Sequence, residues 1–89
     1  MPERTVAIGS QLGLHARPAA LFVQAVNETG LPVMISREGH KAVDARSVLA
    51  VMSMGASHGQ IVTLTCDEEG ADEALDGLVE LLGKELDPK

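Results

Sequence analysis

The apolar residues of this chain change their spacing repeatedly, from every second position to every third or fourth and back, and this alternation restricts it to a mixed α+β fold. Near the C-terminus the two periods stand side by side. Residues 60–66 (QIVTLTC) are rich in β-branched side chains and set Val62, Leu64 and Cys66 on one face of a strand. Residues 70–86 set Ala71, Ala74, Leu75, Leu78 and Leu82 in a helical stripe, which Val79 and Leu81 widen. Asp72 and Glu73 fall in the first turn of that helix and Lys84 in its last, as the macrodipole favours, and Pro88 follows its end.

The same reading runs back to the N-terminus. Residues 4–9 (RTVAIG) form a strand with Val6 and Ile8 on one face, and residues 10–17 (SQLGLHAR) form a loop broken by Gly13. Pro18 opens a helix, since its missing N–H has no partner to lose in the first helical position. Ala19, Phe22, Val23 and Val26 share one face of it, and Asn27 and Gly30 supply its stop. Residues 31–37 (LPVMISR) are a strand carrying Val33 and Ile35, Glu38 and Gly39 a tight turn, and residues 40–44 a short return strand. Residues 47–55 (SVLAVMSMG) make a helix of about two turns between a capping Ser47 and Gly55. The order is β-α-β-β-α-β-α. It predicts a two-layer α+β domain in which a largely antiparallel four-stranded sheet is covered on one face by three helices. With 89 residues the chain has room for one domain, residues 1–89.

Composition narrows the function. The apolar fraction of 45 % supports a packed core, but Phe22 is the only aromatic residue. Modules that stack bases need aromatic platforms, and a phosphate backbone repels a chain of formal net charge −6 whose few cations are scattered, so nucleic acid is excluded. A small-molecule pocket also needs apolar and aromatic lining that one phenylalanine does not provide. Cys66 stands alone, so no internal disulfide forms, which suits a reducing compartment. The N-terminus does not read as a signal peptide, and no apolar run approaches the roughly 20 residues of a membrane helix. The expected location is cytoplasmic, without membrane insertion. His15, His40 and His58 lack the close spacing of a zinc site, so no metal and no cofactor is expected. His40 and His58, beside glycines, read as solvent-facing, and Cys66 as buried and inert.

The chemistry concentrates in Gly13-Leu14-His15-Ala16-Arg17-Pro18-Ala19. A helix opening at Pro18 places His15 just outside a helix N-terminus, where free N–H groups and the positive dipole end attract anions, phosphate above all. Ala16, Arg17 and Pro18 would frame that anion site, and the Arg17 guanidinium matches phosphate oxygens with a fork of donors. A nucleophilic imidazole must be neutral, and the positive helix end opposes its protonation. A loop histidine is also an ordinary solvated residue, and Arg-Pro an ordinary helix start, so the residues alone leave both readings open.

The segment resembles the active-site signature of the HPr family, the histidine-containing phosphocarriers of the bacterial phosphoenolpyruvate:sugar phosphotransferase system. Residues 45–55 (ARSVLAVMSMG) are similar to the family's second signature, around its regulatory serine. The element order, the spacing of the two signatures and the length also match, so the resemblance spans essentially the whole chain. It implies an open-faced sandwich and a relay rather than a turnover enzyme. Phosphorylated enzyme I would charge His15 on Nδ1, sugar-specific IIA proteins or domains would take the group, and Arg17 would stabilise it. It implies a monomer, and it makes Ser47 a regulatory phosphorylation site as well as a helix cap. An HPr kinase/phosphorylase or a transcriptional regulator would then be a partner, and the alternative function is a regulatory HPr-like protein acting mainly through Ser47. An intact His15 argues against a purely regulatory variant. Val48, Leu49 and Met52, on a helix that flanks the histidine in the family, together with Ala20 and Gln24, would form the partner surface. Two departures stand out. Asp44-Ala45-Arg46 replaces a frequent Asn-x-Lys before the serine, and Leu12 replaces a small polar residue that helps orient the histidine ring, leaving Ser10 or a backbone group to do so.

Overall fold

The computed structural model describes residues 2–10 and 13–84. Seven elements follow in the expected order: β1 (Glu3–Ala7), α1 (Ala16–Thr29), β2 (Met34–Arg37), β3 (Val43–Asp44), α2 (Val48–Met54), β4 (Ile61–Thr65) and α3 (Ala71–Leu82). The strands form one sheet in the order β1-β4-β2-β3, every neighbouring pair antiparallel. β4, the most β-branched strand, is paired on both edges. Its Val62 lies opposite Val6 and its Leu64 opposite Ile35, while Thr63 lies between Thr5 and Ser36. Successive strand side chains point to opposite faces, so this register sends the apolar residues inward together and leaves a threonine- and serine-rich face open.

The three helices cover the apolar face. α1 buries Ala19, Phe22, Val23 and Val26 as the spacing predicts, with Pro18 beside them, and α3 buries Ala71, Leu75, Leu78 and Leu82 of its predicted stripe, while Ala74 is half-buried. The shorter α2 buries Val51 and Met54. Its ends are those read from the sequence. The Ser47 hydroxyl accepts a hydrogen bond from the Ala50 N–H at 3.2 Å, and Gly55 turns left-handed with φ +73° to donate to the Met52 carbonyl. Cys66 is buried beside the sheet with a free thiol. From the edge strand, Arg4 reaches across to α3 and pairs with Asp76 at 2.8 Å and Asp72 at 3.1 Å.

Several boundaries differ from expectation. β2 begins at Met34, yet Val33 before it stays buried and accepts the Ala45 N–H on its carbonyl at 3.0 Å. The turn at Glu38 and Gly39 forms, with His40 N–H bonded to the Arg37 carbonyl at 3.0 Å. Pairing then resumes only at Val43, so the return strand is two residues rather than five. α3 ends at Leu82, which leaves Lys84 beyond the last turn, 3.5 Å from Glu80. Leu86 and Pro88, expected at the end of this helix, lie outside the described residues. None of the described helices is long and apolar enough to cross a membrane.

Candidate functional site

α1 starts two residues before Pro18. The Ala19 N–H donates to the His15 carbonyl at 3.0 Å, so His15 is itself the N-cap, in an extended conformation at φ −82° and ψ −168°. Pro18 is therefore the third helical residue and not the first. No N–H within the first three helical positions has an acceptor inside the helix, so proline is accommodated throughout that turn. This corrects the expected anion site in one respect. Pro18 is buried and carries no N–H, so it shapes the turn and offers no donor. The donors at this end are the backbone N–H groups of Ala16 and Arg17. The Arg17 side chain is exposed and pairs with no described carboxylate, while His15 is half-buried.

The loop leading to His15 is laid against the segment that follows α2. The Leu14 N–H donates to the Ala56 carbonyl at 2.9 Å, and the Gly13 N–H to the Ser10 carbonyl at 2.9 Å. Gly13 adopts φ +76°, and a β-carbon there would lie 2.5 Å from the Ala56 oxygen, so both its backbone angle and its surroundings require glycine. Two further bonds, Ile8 N–H to the Gln60 carbonyl and Gly59 N–H to the Ile8 carbonyl, close the other side of the contact. Ser10, a candidate for orienting the ring, is buried; Leu12 lies outside the described residues.

This packing orients α2. Its C-terminal end adjoins the His15 loop, and Ser47 stands at the opposite end. Seven helical residues separate them by about 10 Å along the axis. Beside Ser47 the Arg46 guanidinium grips Asp44 through two bonds of 3.0 Å, which hold the Asp44 carboxyl below its ordinary pKa and raise that of Arg46.

The expected partner residues are exposed: Ala20 and Gln24 on α1, and Val48, Leu49 and Met52 on α2, with Leu49 at 79 %. The sequence reading passed over Leu21, which is 40 % exposed. The signal was available, because leucine at 21 falls off the stripe of Ala19, Phe22, Val23 and Val26. It shares a helical face with Arg17, Ala20 and Gln24. Arg37 was also missed, and its Nε donates to the Met54 carbonyl at the end of α2 at 2.7 Å. His40 and His58 are exposed, and among the described residues no cluster of His, Cys, Asp and Glu could hold a metal.

Residues 2–84 match the family described as "PTS HPr component phosphorylation site". The chain is 45 % identical over 87 residues to the phosphocarrier protein HPr of Streptomyces coelicolor, covering 98 % of this chain and 94 % of that one. Among solved structures it is similar to a phosphocarrier protein HPr from Bacillus anthracis, with a TM-score of 0.84 and 36 % identity over 91 % of this chain and 95 % of that one. It is also similar to the Bacillus subtilis catabolite repression protein Crh, solved as a swapped dimer, with a TM-score of 0.74, 38 % identity, and coverage of 99 % and 100 %. The chain belongs to the HPr family, the phosphocarrier proteins of the phosphotransferase system.

Proposed function

We propose that His15 is the phosphoryl-carrying residue of this phosphocarrier. Phosphorylated enzyme I is the donor, and IIA proteins or domains of sugar permeases are the acceptors. The observation that carries the reading is the setting of His15, which caps the start of α1 beside the backbone N–H groups of Ala16 and Arg17 and an Arg17 side chain without a carboxylate partner among the described residues. In this reading the neutral ring attacks through Nδ1, a P–N bond forms as the bond to the donor breaks, and the new negative charge meets the helix end and the guanidinium. The reverse step delivers the group to the acceptor. Ala20, Leu21 and Gln24 with Val48, Leu49 and Met52 form the docking surface, apolar at its middle and flanked by the Arg17 cation. Residues 1–89 act as one monomeric, cytoplasmic domain that needs no cofactor.

Incubation with enzyme I and phosphoenolpyruvate tests this, read by intact mass. One acid-labile phosphoryl group is expected on the wild type and none on His15→Ala, whose fold should persist because the position is a half-buried loop end. Equal labelling of the variant would assign the group to another residue. A second reading, regulation through Ser47, is supported by the likeness to Crh and by the exposed apolar residues that follow the serine. Incubation with an HPr kinase and ATP separates the two, since phosphoserine is acid-stable.

A further inference from the structure

We infer that Arg37 is a positioning residue for His15, acting through the end of α2; the inference rests on the assignment of His15 as the phosphoryl carrier. Arg37 is the last residue of β2 and lies opposite Val62, a fully buried residue, so its side chain rises on the helix-covered side of the sheet. A guanidinium there needs an acceptor. The last carbonyls of a helix have no partner within it, and Arg37 Nε meets that of Met54 at 2.7 Å. The cation also lies at the negative end of α2.

From Met54 the contacts lead to the histidine in two steps. Gly55 turns left-handed and delivers Ala56, which is buried, and the Ala56 carbonyl accepts the Leu14 N–H at 2.9 Å. Leu14 is bonded directly to His15. Gly13 is pressed against the same carbonyl too closely for any side chain, so the loop has no slack on that side. The segment carrying Ala56 is held at its far end by Gln60, whose side-chain oxygen accepts the Ser57 N–H at 2.8 Å. At its near end Ser53 bonds only within α2, to the Ala50 carbonyl at 2.9 Å, and among the described residues the side-chain hydrogen bond that ties this end to another element is that of Arg37. Removing it frees the α2 end to shift, and the acceptor of the Leu14 N–H shifts with it. Displacements of about 1 Å at a reacting group cost up to a hundredfold in rate.

The test compares wild type, Arg37→Met, which keeps the aliphatic stem without a donor, and Arg37→Lys, which keeps a charged donor. Transfer from enzyme I and phosphoenolpyruvate is followed at varied enzyme I, and amide exchange at Leu14 is followed by NMR without any partner. For Arg37→Met we expect about a tenfold fall in the rate at saturating enzyme I, an apparent KM within twofold of wild type, and faster exchange at Leu14. Arg37→Lys should recover most of both. Should Arg37→Met fail to fold, Arg37→Leu, which also lacks a donor, replaces it with the same expectations. A wild-type rate in the variant overturns the inference. So does a slower rate with unchanged Leu14 exchange, or a change confined to KM, either of which would make Arg37 a partner contact. Failure of the wild type to be labelled at His15 would refute the carrier assignment instead, and the two failures are thereby distinguished.

Discussion

Replacing Gly13 by alanine strikes the contact that seats the His15 loop, and the structure supplies its own control. Gly13 and Gly30 share nearly the same left-handed backbone, φ +76° and φ +71°, but a β-carbon at Gly30 meets nothing within 4 Å, whereas one at Gly13 would lie 2.5 Å from the Ala56 oxygen and 3.0 Å from the Ser57 Cα. Gly30→Ala therefore carries only the cost of a left-handed L-residue, about 1–2 kcal/mol. Gly13→Ala carries that cost and must also push Ala56 away. The push breaks or bends the Leu14–Ala56 hydrogen bond, and a buried N–H left without a partner costs about 1–3 kcal/mol more. The expected totals are about 1–2 kcal/mol for Gly30→Ala and about 2–5 kcal/mol for Gly13→Ala. In a domain of this size each kcal/mol lowers the melting temperature by about 4–8 °C, so thermal melts of the two variants resolve the difference, and urea titrations check that the m-value is unchanged. Phosphoryl transfer should fall in Gly13→Ala and stay at the wild-type level in Gly30→Ala, whose site lies at the far end of α1. Equal destabilisation of the two variants would show that the approach of Gly13 to Ala56 is relaxed in solution and that the loop is not seated as described.

Leu49→Glu should change stability by no more than about 0.5 kcal/mol, since the side chain is 79 % exposed, while weakening enzyme I binding. Leu78→Ala, at 2 % exposure, should cost about 2–5 kcal/mol; equal losses in denaturant melts would place Leu49 in the core. Ser47→Asp should raise the apparent KM for enzyme I, with a melting temperature level or higher, because aspartate also caps a helix. The effect should act through docking of the partner and shrink at high salt; unchanged kinetics at low salt would leave Ser47 as a cap alone. Asp44 binds Arg46 in its charged form, so its NMR titration midpoint should lie below the ordinary carboxylate value. The stability from this pair should be constant above the ordinary value and lost as pH falls through the lowered one. Arg46→Met should return the midpoint to normal, and an unchanged midpoint would show that the pair is not populated in solution.

The element order was readable from residue spacing because it depends on contacts between neighbours in sequence. β4 shows it in its β-branched run, α3 in its apolar stripe, and α2 in Ser47 and Gly55, whose caps involve residues no more than three positions away. The family signature was legible for the same reason, as a short contiguous string. The start of α1 was not, since proline fits anywhere in a first turn, and what stops the helix at Ala16 is the seating of Gly13 and Leu14 on Ala56, more than forty positions away. The shortness of β3 and the strand order depend equally on distant partners. So do the bridge from Arg4 to α3 and the bond from Arg37 to Met54, in which a cation that reads as surface charge is bound to another element. Leu21 shows the same division: its place off the stripe was written in the sequence, but only the packed α1 made it surface. Local hydrogen bonding and side-chain periodicity belong to the chain itself. Which loop meets which helix end, and therefore where His15 is held, is decided by burial across the whole domain.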